Sequence, residues 1–161
     1  MTTRRAWPAD AETLARTTRL GLATWCAFAP TGWTPSPFAD TVAFARRLLA
    51  APSAWALLAH VDGEPAGHCA SVRGDWDEPL SVVLWGLFVR PAWWGSGLAD
   101  RLHEAFVEEA RGRGYPQAWL TTPAAHARAR RFYERRGWRA DTLLERSRGM
   151  PMAVYGRSLL P

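Results

Sequence analysis

Apolar positions along this chain recur first at helical and then at strand spacing, which predicts elements of both kinds. In the first fifty residues, apolar and small side chains recur every three or four positions, and this predicts helices over residues 9–25 and Phe38–Ala50. Two short apolar runs flank Asp62-Gly63, a dipeptide typical of hairpin turns. They predict paired strands over Trp55–Val61 and residues 65–72.

The second half of the chain continues with a strand that leads into a helix. Residues 80–89 are almost continuously apolar, which predicts a buried central strand. Apolar side chains at helical spacing then predict a helix from Leu98, which Gly112 and Gly114 end. Four further elements complete the pattern: a strand over residues 117–121, a helix that Pro123 opens and Gly137 closes, and strands over residues 138–145 and 152–159. This order favours a mixed sheet with helices on both faces.

The composition fits one domain of ordinary size. The chain has 161 residues, of which 48% are hydrophobic, so we expect a single domain over residues 1–161. The net charge of +5 comes from arginine, because the chain contains no lysine. This excludes a Walker-type lysine and a lysine Schiff base. An arginine excess is typical of proteins that bind nucleic acid or phosphorylated ligands, but it also follows from genomic base composition, the explanation that we favour.

Cysteine usage and hydropathy exclude several other classes. Cys26 and Cys69 lie far apart and show no metal-ligand spacing, so we expect neither a disulfide framework nor a metal site. The chain has no uninterrupted apolar stretch of about 18 residues and no pattern of a secretion signal at its beginning. We therefore expect a soluble, cytoplasmic protein.

The most informative segment is the corner between the central strand and the next helix, residues 94–99, which read Trp-Gly-Ser-Gly-Leu-Ala. The first N–H groups of a helix have no internal partners and carry the positive end of its dipole, and glycine lets an anion approach the backbone. A phosphorylated ligand is therefore one interpretation of this corner. A glycine turn kept for backbone reasons alone is the other.

A second motif lies at residues 124–138, where a predicted helix carries an aromatic pair near its end and closes at a glycine. In this order and separation, the two segments resemble the GCN5-related N-acetyltransferase (GNAT) family. The matching residues are Gly97 and Ala99 in the family's acyl-CoA diphosphate loop, and Ala129, Phe132, Tyr133, Gly137 and Trp138 in its second motif.

The resemblance implies an α/β (α+β) fold: a mixed, mostly antiparallel central sheet, with helices on both faces and a splayed central strand. It also implies that the protein transfers an acetyl group from acetyl-CoA to a primary amine, directly and within a ternary complex. The expected partners are then acetyl-CoA and an amine acceptor, with no nucleic acid, membrane or metal. A homodimer is left open.

The resemblance also implies which residues contact the cofactor. They lie at the end of the central strand, in the glycine corner and in the second motif: Leu87, Phe88, Val89, Trp94, Gly95, Ser96, Gly97, Leu98, Ala99, His126, Ala129 and Tyr133. Trp94 stands where the family usually has Arg or Gln, and His126 where it usually has Asn. Because the family's loop contacts phosphate mainly through its backbone, we expect the loop to tolerate Trp94.

Acyl transfer to an amine needs an acid, an oxyanion donor and a base. The resemblance gives Tyr133 as the acid that protonates the departing thiolate, whereas residue type alone favours a packing role. A backbone N–H near Phe88 would stabilise the oxyanion. The base stays open because the central strand carries no carboxylate, and the nearest candidates are Asp77, Glu78 and His68. His68 also fits a structural histidine, and a water chain to one of these groups would also serve.

Four of the ten tryptophans lie where the family builds its acceptor pocket: Trp25, Trp33, Trp76 and Trp85. Aromatic walls favour a planar, apolar or cationic acceptor, so we expect a small-molecule amine. Simple core packing is the other interpretation of these side chains. The functional alternatives are a non-catalytic acyl-CoA sensor and a protein or peptide N-acetyltransferase, while nucleic-acid binding rests on charge alone.

Overall fold

A seven-stranded sheet forms the centre of the computed structural model, which describes residues 1–74, 80–147 and 149–160. The strands in these ranges are β1 (Thr2–Arg5), β2 (Trp55–Val61), β3 (Glu64–Arg73), β4 (Ser81–Val89), β5 (Gln117–Pro123), β6 (Arg139–Ser147) and β7 (Met150–Ser158). The α-helices are α1 (Ala11–Ala23), α2 (Phe38–Ala50), α3 (Leu98–Gly112) and α4 (Ala127–Glu134).

The sheet is mixed and mostly antiparallel, as the resemblance implies. Its order is β1-β2-β3-β4-β5-β7-β6, and the β4–β5 pair is parallel while the other neighbours are antiparallel. Neighbouring residues of β2 point to opposite faces. Ala56 and Leu58 pack in one core with α1 and α2, whereas Trp55 and Ala59 pack in another with α3. The predicted covering of both faces by helices is therefore confirmed.

The two central strands β4 and β5 separate from each other after a short paired stretch. They pair only between residues 81–83 and residues 117–119. Beyond that point β4 continues to Val89 along β3, and β5 continues to Pro123 along β7. The predicted splaying of the central strand is confirmed, and the separation leaves a gap in the middle of the sheet.

A β-bulge lies where the strands separate. The adjacent residues Ala70 and Ser71 of β3 face Gly86 and Leu84 of β4, so Trp85 is the extra residue. A bulge bends its strand and increases the local twist. The bend therefore directs the second half of β4 away from β5.

Most predicted elements are confirmed, and two differ. Pro123 does not open a helix: it ends β5 opposite Met152, and α4 begins at Ala127. The prediction was wrong because proline suits a strand end as well as a first helical turn. The strand β1 escaped prediction because its four exposed residues have no apolar alternation, although they pair with β2 at the sheet edge.

Candidate active site

A cleft of about 1020 Å³, its open mouth included, lies between β4 and β5 where they diverge. The structure brings many of the predicted site residues to its lining: Trp25, Trp85, Leu87, Phe88, Val89, Trp94, Ala99, His126, Ala129 and Tyr133. Thr122 of β5 and Met152 of β7 complete the opposite side. The end of the central strand and the second motif, far apart in sequence, therefore share one cavity.

The backbone of β4 offers polar groups to this cleft. Arg90 N–H donates to the Ala66 carbonyl at 2.9 Å across the β3–β4 ladder, and Phe88 faces His68 two residues earlier. Hydrogen-bonded pairs alternate along an antiparallel ladder, so Phe88 directs its N–H and C=O toward β3. The N–H groups of the flanking Leu87 and Val89 point to the other side, which is the cleft.

The glycine corner stands beside the mouth of the cleft, at the start of α3. Gly95 and Gly97 have φ angles of 81° and 78°, a region that glycine adopts without strain. A Cβ at either position would meet nothing within 4 Å, so the surface over both is open. The Ser96 hydroxyl donates to the Trp93 carbonyl at 2.7 Å, which braces the turn. Gly97 directly precedes Leu98, the first residue of α3, so an anion can reach the helix N-terminus.

Trp94 joins the corner to the end of β4. Its Nε1–H donates to the Val89 carbonyl at 2.8 Å, and the residue remains 41% exposed. The Arg128 guanidinium from α4 lies over that ring, 3.9 Å from its centroid. The position where the family usually has Arg or Gln thus holds an anchored indole with an arginine on its face.

Tyr133 is the ionisable group of α4 that lies deepest in the cleft lining, with 8% of its surface exposed. Phe132 and Trp138 pack edge-on against its ring at 5.3 and 5.9 Å. Burial raises the pKa of the Tyr133 phenol, so it is protonated at neutral pH. A neutral phenol facing a cleft is in the right state to donate a proton.

His126 lies at the N-terminal end of α4 and also lines the cleft. Its ring lies 4.9 Å from Phe28 and 6.5 Å from Trp25, both in or just after the turn that follows α1. Burial, with the nearby Arg128 charge, lowers the His126 pKa. His126 is therefore a neutral hydrogen-bonding group at neutral pH.

His68 lies outside the cleft lining and is held by α1. The Thr17 hydroxyl lies 2.9 Å from the Leu14 carbonyl, and its oxygen is hydrogen-bonded to His68 Nδ1 at 2.5 Å. Thr18 Oγ1 lies 3.4 Å from His68 Nε2. Complete burial lowers the His68 pKa to about 3. This environment favours the structural interpretation of His68 over the catalytic one. The other two base candidates, Asp77 and Glu78, lie outside the described residues.

A second cavity of about 1660 Å³, its open mouth included, is lined mainly by α1, α2 and the residues between them, together with Trp85 of β4. Trp33 lines it, and Trp85 lines both cavities. Trp25 stacks on Trp33 at 6.0 Å, so three of the four predicted acceptor tryptophans come together. Trp76 lies outside the described residues.

Sequence reasoning missed two side chains of this second cavity. Phe44 stacks on Trp85 at 4.6 Å, and Asp40 lies one turn earlier on α2. Helical spacing identified α2, but it could not show which strand residue would face Phe44. Asp40 resembles an ordinary acidic residue in the first turn of a helix, where it complements the dipole.

Neither a metal-binding cluster nor a membrane-spanning helix is found among the described residues. No described group of three or more His, Cys, Asp or Glu side chains could hold a metal ion. Within the same part of the chain, each helix is too short or too polar to cross a membrane.

Comparison with known proteins points to one family. A family model described as "Acetyltransferase (GNAT) family" matches residues 21–138. An uncharacterized N-acetyltransferase from Mycobacterium tuberculosis is 31% identical over 85 residues, which are 53% of this chain and 53% of that protein. The matched region thus spans about half the length of that curated relative.

Two solved structures share the fold. An acetyltransferase of the GNAT family from Desulfovibrio desulfuricans superposes with a TM-score of 0.76 and 23% identity, covering 99% of both chains. The PaiA N-acetyltransferase from Thermoplasma acidophilum, solved in complex with coenzyme A, superposes with a TM-score of 0.77 and 14% identity. That match covers 98% of this chain and 99% of the other.

Proposed function

The chain belongs to the GNAT acetyltransferase family, and from that premise we propose that it transfers an acetyl group from acetyl-CoA to the primary amine of a small molecule. One observation carries the proposal: the splayed strands β4 and β5 form a cleft that has cleft-facing amides on one side and an open glycine corner beside its mouth. A structural relative solved with coenzyme A supports the choice of cofactor.

Successive parts of the cleft would bind successive parts of acetyl-CoA. The cleft-facing N–H groups of Leu87 and Val89 would donate to the pantetheine arm as a neighbouring strand does. The diphosphate would lie on the glycine corner at the N-terminus of α3, where neither glycine has a side chain to block it. Ala99 and Ala129 line the passage between these two ends with small side chains.

The chain's own groups would serve direct transfer as follows. The amine nitrogen attacks the thioester carbonyl carbon, and a cleft-facing N–H of Leu87 or Val89 stabilises the negative charge on the oxygen. The carbon–sulfur bond then breaks, and Tyr133 gives its phenolic proton to the departing thiolate. The proton that the amine loses passes to a base or to water, and Glu78 and Asp77 remain the proposed bases.

The second cavity is the proposed acceptor site. Trp33, Trp85 and Phe44 supply its aromatic surfaces, and Asp40 supplies a carboxylate. Arg47 also lines this cavity, with its guanidinium 5.9 Å from the Phe44 ring centroid, so the cavity holds one charge of each sign. The aromatic faces favour an amine with an apolar or planar body. A protein or peptide amine is the alternative acceptor.

A non-catalytic acyl-CoA sensor is the second candidate function. The observation that favours it is the apolar stretch Val82, Val83 and Leu84 on β4, which offers no carboxylate to serve as base. The neutral phenol of Tyr133 in the cleft favours catalysis instead.

Two measurements on the purified protein separate these candidates. A thermal shift with CoA or acetyl-CoA tests cofactor binding, and release of free thiol from acetyl-CoA against a panel of amines tests transfer. We expect stabilisation and amine-dependent thiol release. Stabilisation without turnover on any amine would support the sensor, and absence of stabilisation would refute both cofactor-based functions.

A further inference from the structure

Arg128 and Arg130 on α4 differ in the groups that their guanidinium groups contact. Arg130 donates to Tyr155 Oη at 2.9 Å and lies 3.8 Å from Glu134. Arg128 has no carboxylate within salt-bridge distance among the residues that the structure describes. Its guanidinium rests on the Trp94 ring, at the edge of the cofactor cleft.

The indole beneath it is held in place. Trp94 Nε1–H donates to the Val89 carbonyl at the end of β4, which fixes the ring at the start of the glycine corner. A guanidinium that stacks on an aromatic face keeps its N–H donors at its edges, where they remain available to another group. The stack therefore presents an oriented cation beside the N-terminus of α3.

We propose that Trp94 and Arg128 together form a diphosphate-binding element, in which Trp94 positions Arg128 to donate to the diphosphate of the bound CoA. The pair would restore the positive charge that the loop lacks at position 94, with the charge supplied by α4 instead. This inference rests on the proposed function, because its ligand is the diphosphate of CoA.

The location of Trp94 and Arg128 indicates that the diphosphate is the part of CoA that they would bind. Arg128, Trp94 and Ala99 all line the cleft, and Ala99 lies in the first turn of α3, directly after the glycine corner. The charge of Arg128 also reaches into the cleft, since it contributes to the lowered pKa of His126. Guanidinium donates to phosphate oxygens in a bidentate manner, so one side chain can hold a bridging diphosphate.

Binding of three ligands tests the proposal: CoA, dephospho-CoA, which keeps the diphosphate, and S-acetylpantetheine, which has no phosphate. The variants are Arg128→Gln and Arg131→Gln, the second being a control for charge loss at an exposed arginine of the same helix. We expect Arg128→Gln to raise the Kd of CoA and of dephospho-CoA by about tenfold, the effect of one charge-assisted hydrogen bond. The Kd of S-acetylpantetheine should stay unchanged, and Arg131→Gln should change none of the three.

The positioning role of Trp94 has its own readout. Trp94→Leu removes both the anchor to Val89 and the ring face, so it should raise the Kd of CoA. If Trp94 acts through Arg128, the Kd of CoA in the double variant should rise by less than the product of the two single-variant increases. A rise equal to that product would refute the positioning role.

Several results would overturn the proposal. Arg128→Gln behaving like Arg131→Gln would show that the stack is only a surface contact. A loss for CoA but not for dephospho-CoA would assign Arg128 to the 3′-phosphate, and an equal loss for S-acetylpantetheine would indicate a structural defect. Failure of the unsubstituted protein to bind any CoA form would refute the proposed function itself, and this inference with it.

Discussion

The buried His68 makes the stability of this protein depend on pH, and lowering the pH from 7 to 5 is the perturbation that shows it. The imidazole has no exposed surface, and its pKa falls from 6.5 to about 3. At pH 5 the unfolded chain therefore binds a proton at His68 that the folded chain does not. The stability that the neutral His68 contributes is fully present above pH 6.5, and it is lost as the pH falls from 6.5 toward 3.

The size of the loss follows from the pH interval. Each pH unit below 6.5 costs about 1.4 kcal/mol while the folded histidine stays neutral, so His68 loses about 2 kcal/mol between pH 7 and pH 5. His103 is 2% exposed, with a pKa lowered to about 4 by burial and by the Arg157 charge. It adds a similar loss of about 2 kcal/mol. His68 and His103 together lose about 4 kcal/mol, a large share of the roughly 5–15 kcal/mol that stabilises a typical domain. His126, whose pKa is also lowered, adds to this loss.

Urea denaturation at pH 7 and pH 5 measures this difference. His68→Gln keeps an amide that can hydrogen-bond to Thr17, and it should reduce the pH-dependent loss by about 2 kcal/mol. Carboxylates contribute little above pH 5, because Asp and Glu in the unfolded chain protonate at about pH 4. The lowered pKa of Asp10 therefore costs stability only below that pH. If the free energy of unfolding is equal at both pH values, or the imidazole of His68 titrates between pH 5 and 7 by NMR, the reasoning is wrong.

Three further predictions concern the site. Gly97→Val should weaken CoA binding at least tenfold, because a β-branched residue is strained at φ 78° and would cover the glycine corner. Gly63→Val carries the same strain in a hairpin turn and should lower stability while CoA affinity stays the same. Tyr133→Phe should lower kcat about 100-fold with little change in CoA affinity, and full activity in steady-state kinetics would remove Tyr133 as the acid. Trp33→Ala should raise the KM for the amine and leave that for acetyl-CoA unchanged, and an equal rise in both would contradict a separate acceptor cavity.

The sequence predicted the fold well where local patterns decide structure. Apolar periodicity located α2, α3 and the hairpin strands, because helical and strand spacings differ clearly over ten or more residues. It failed at Pro123, where one residue type suits two structures, and at β1, where pairing with β2 and not an apolar pattern makes the strand. The single domain and the cytoplasmic location stay predictions.

The parts of the candidate site that could be predicted are those that lie in recognisable sequence motifs. The glycine corner and Tyr133 came from motifs, and the structure brings Tyr133 and the end of β4 into one cleft. The orientation of the β4 amides was not predictable to the residue. It depends on the ladder register with β3, which turns Leu87 and Val89, and not Phe88, toward the cleft. Likewise, no sequence pattern links Trp94 to Arg128.

Trp85 explains why the cofactor cleft and the proposed acceptor cavity lie so close together. As the extra residue of the β4 bulge, it lies just beyond the last β4–β5 pair, and its side chain lines both cavities. Trp85 would therefore stand between an amine in the second cavity and a thioester held along β4. Phe44 stacks on Trp85, so helix α2 limits how far the indole can move. The bulge that separates β4 from β5 thus also places an aromatic side chain between the proposed cofactor cleft and the proposed acceptor cavity.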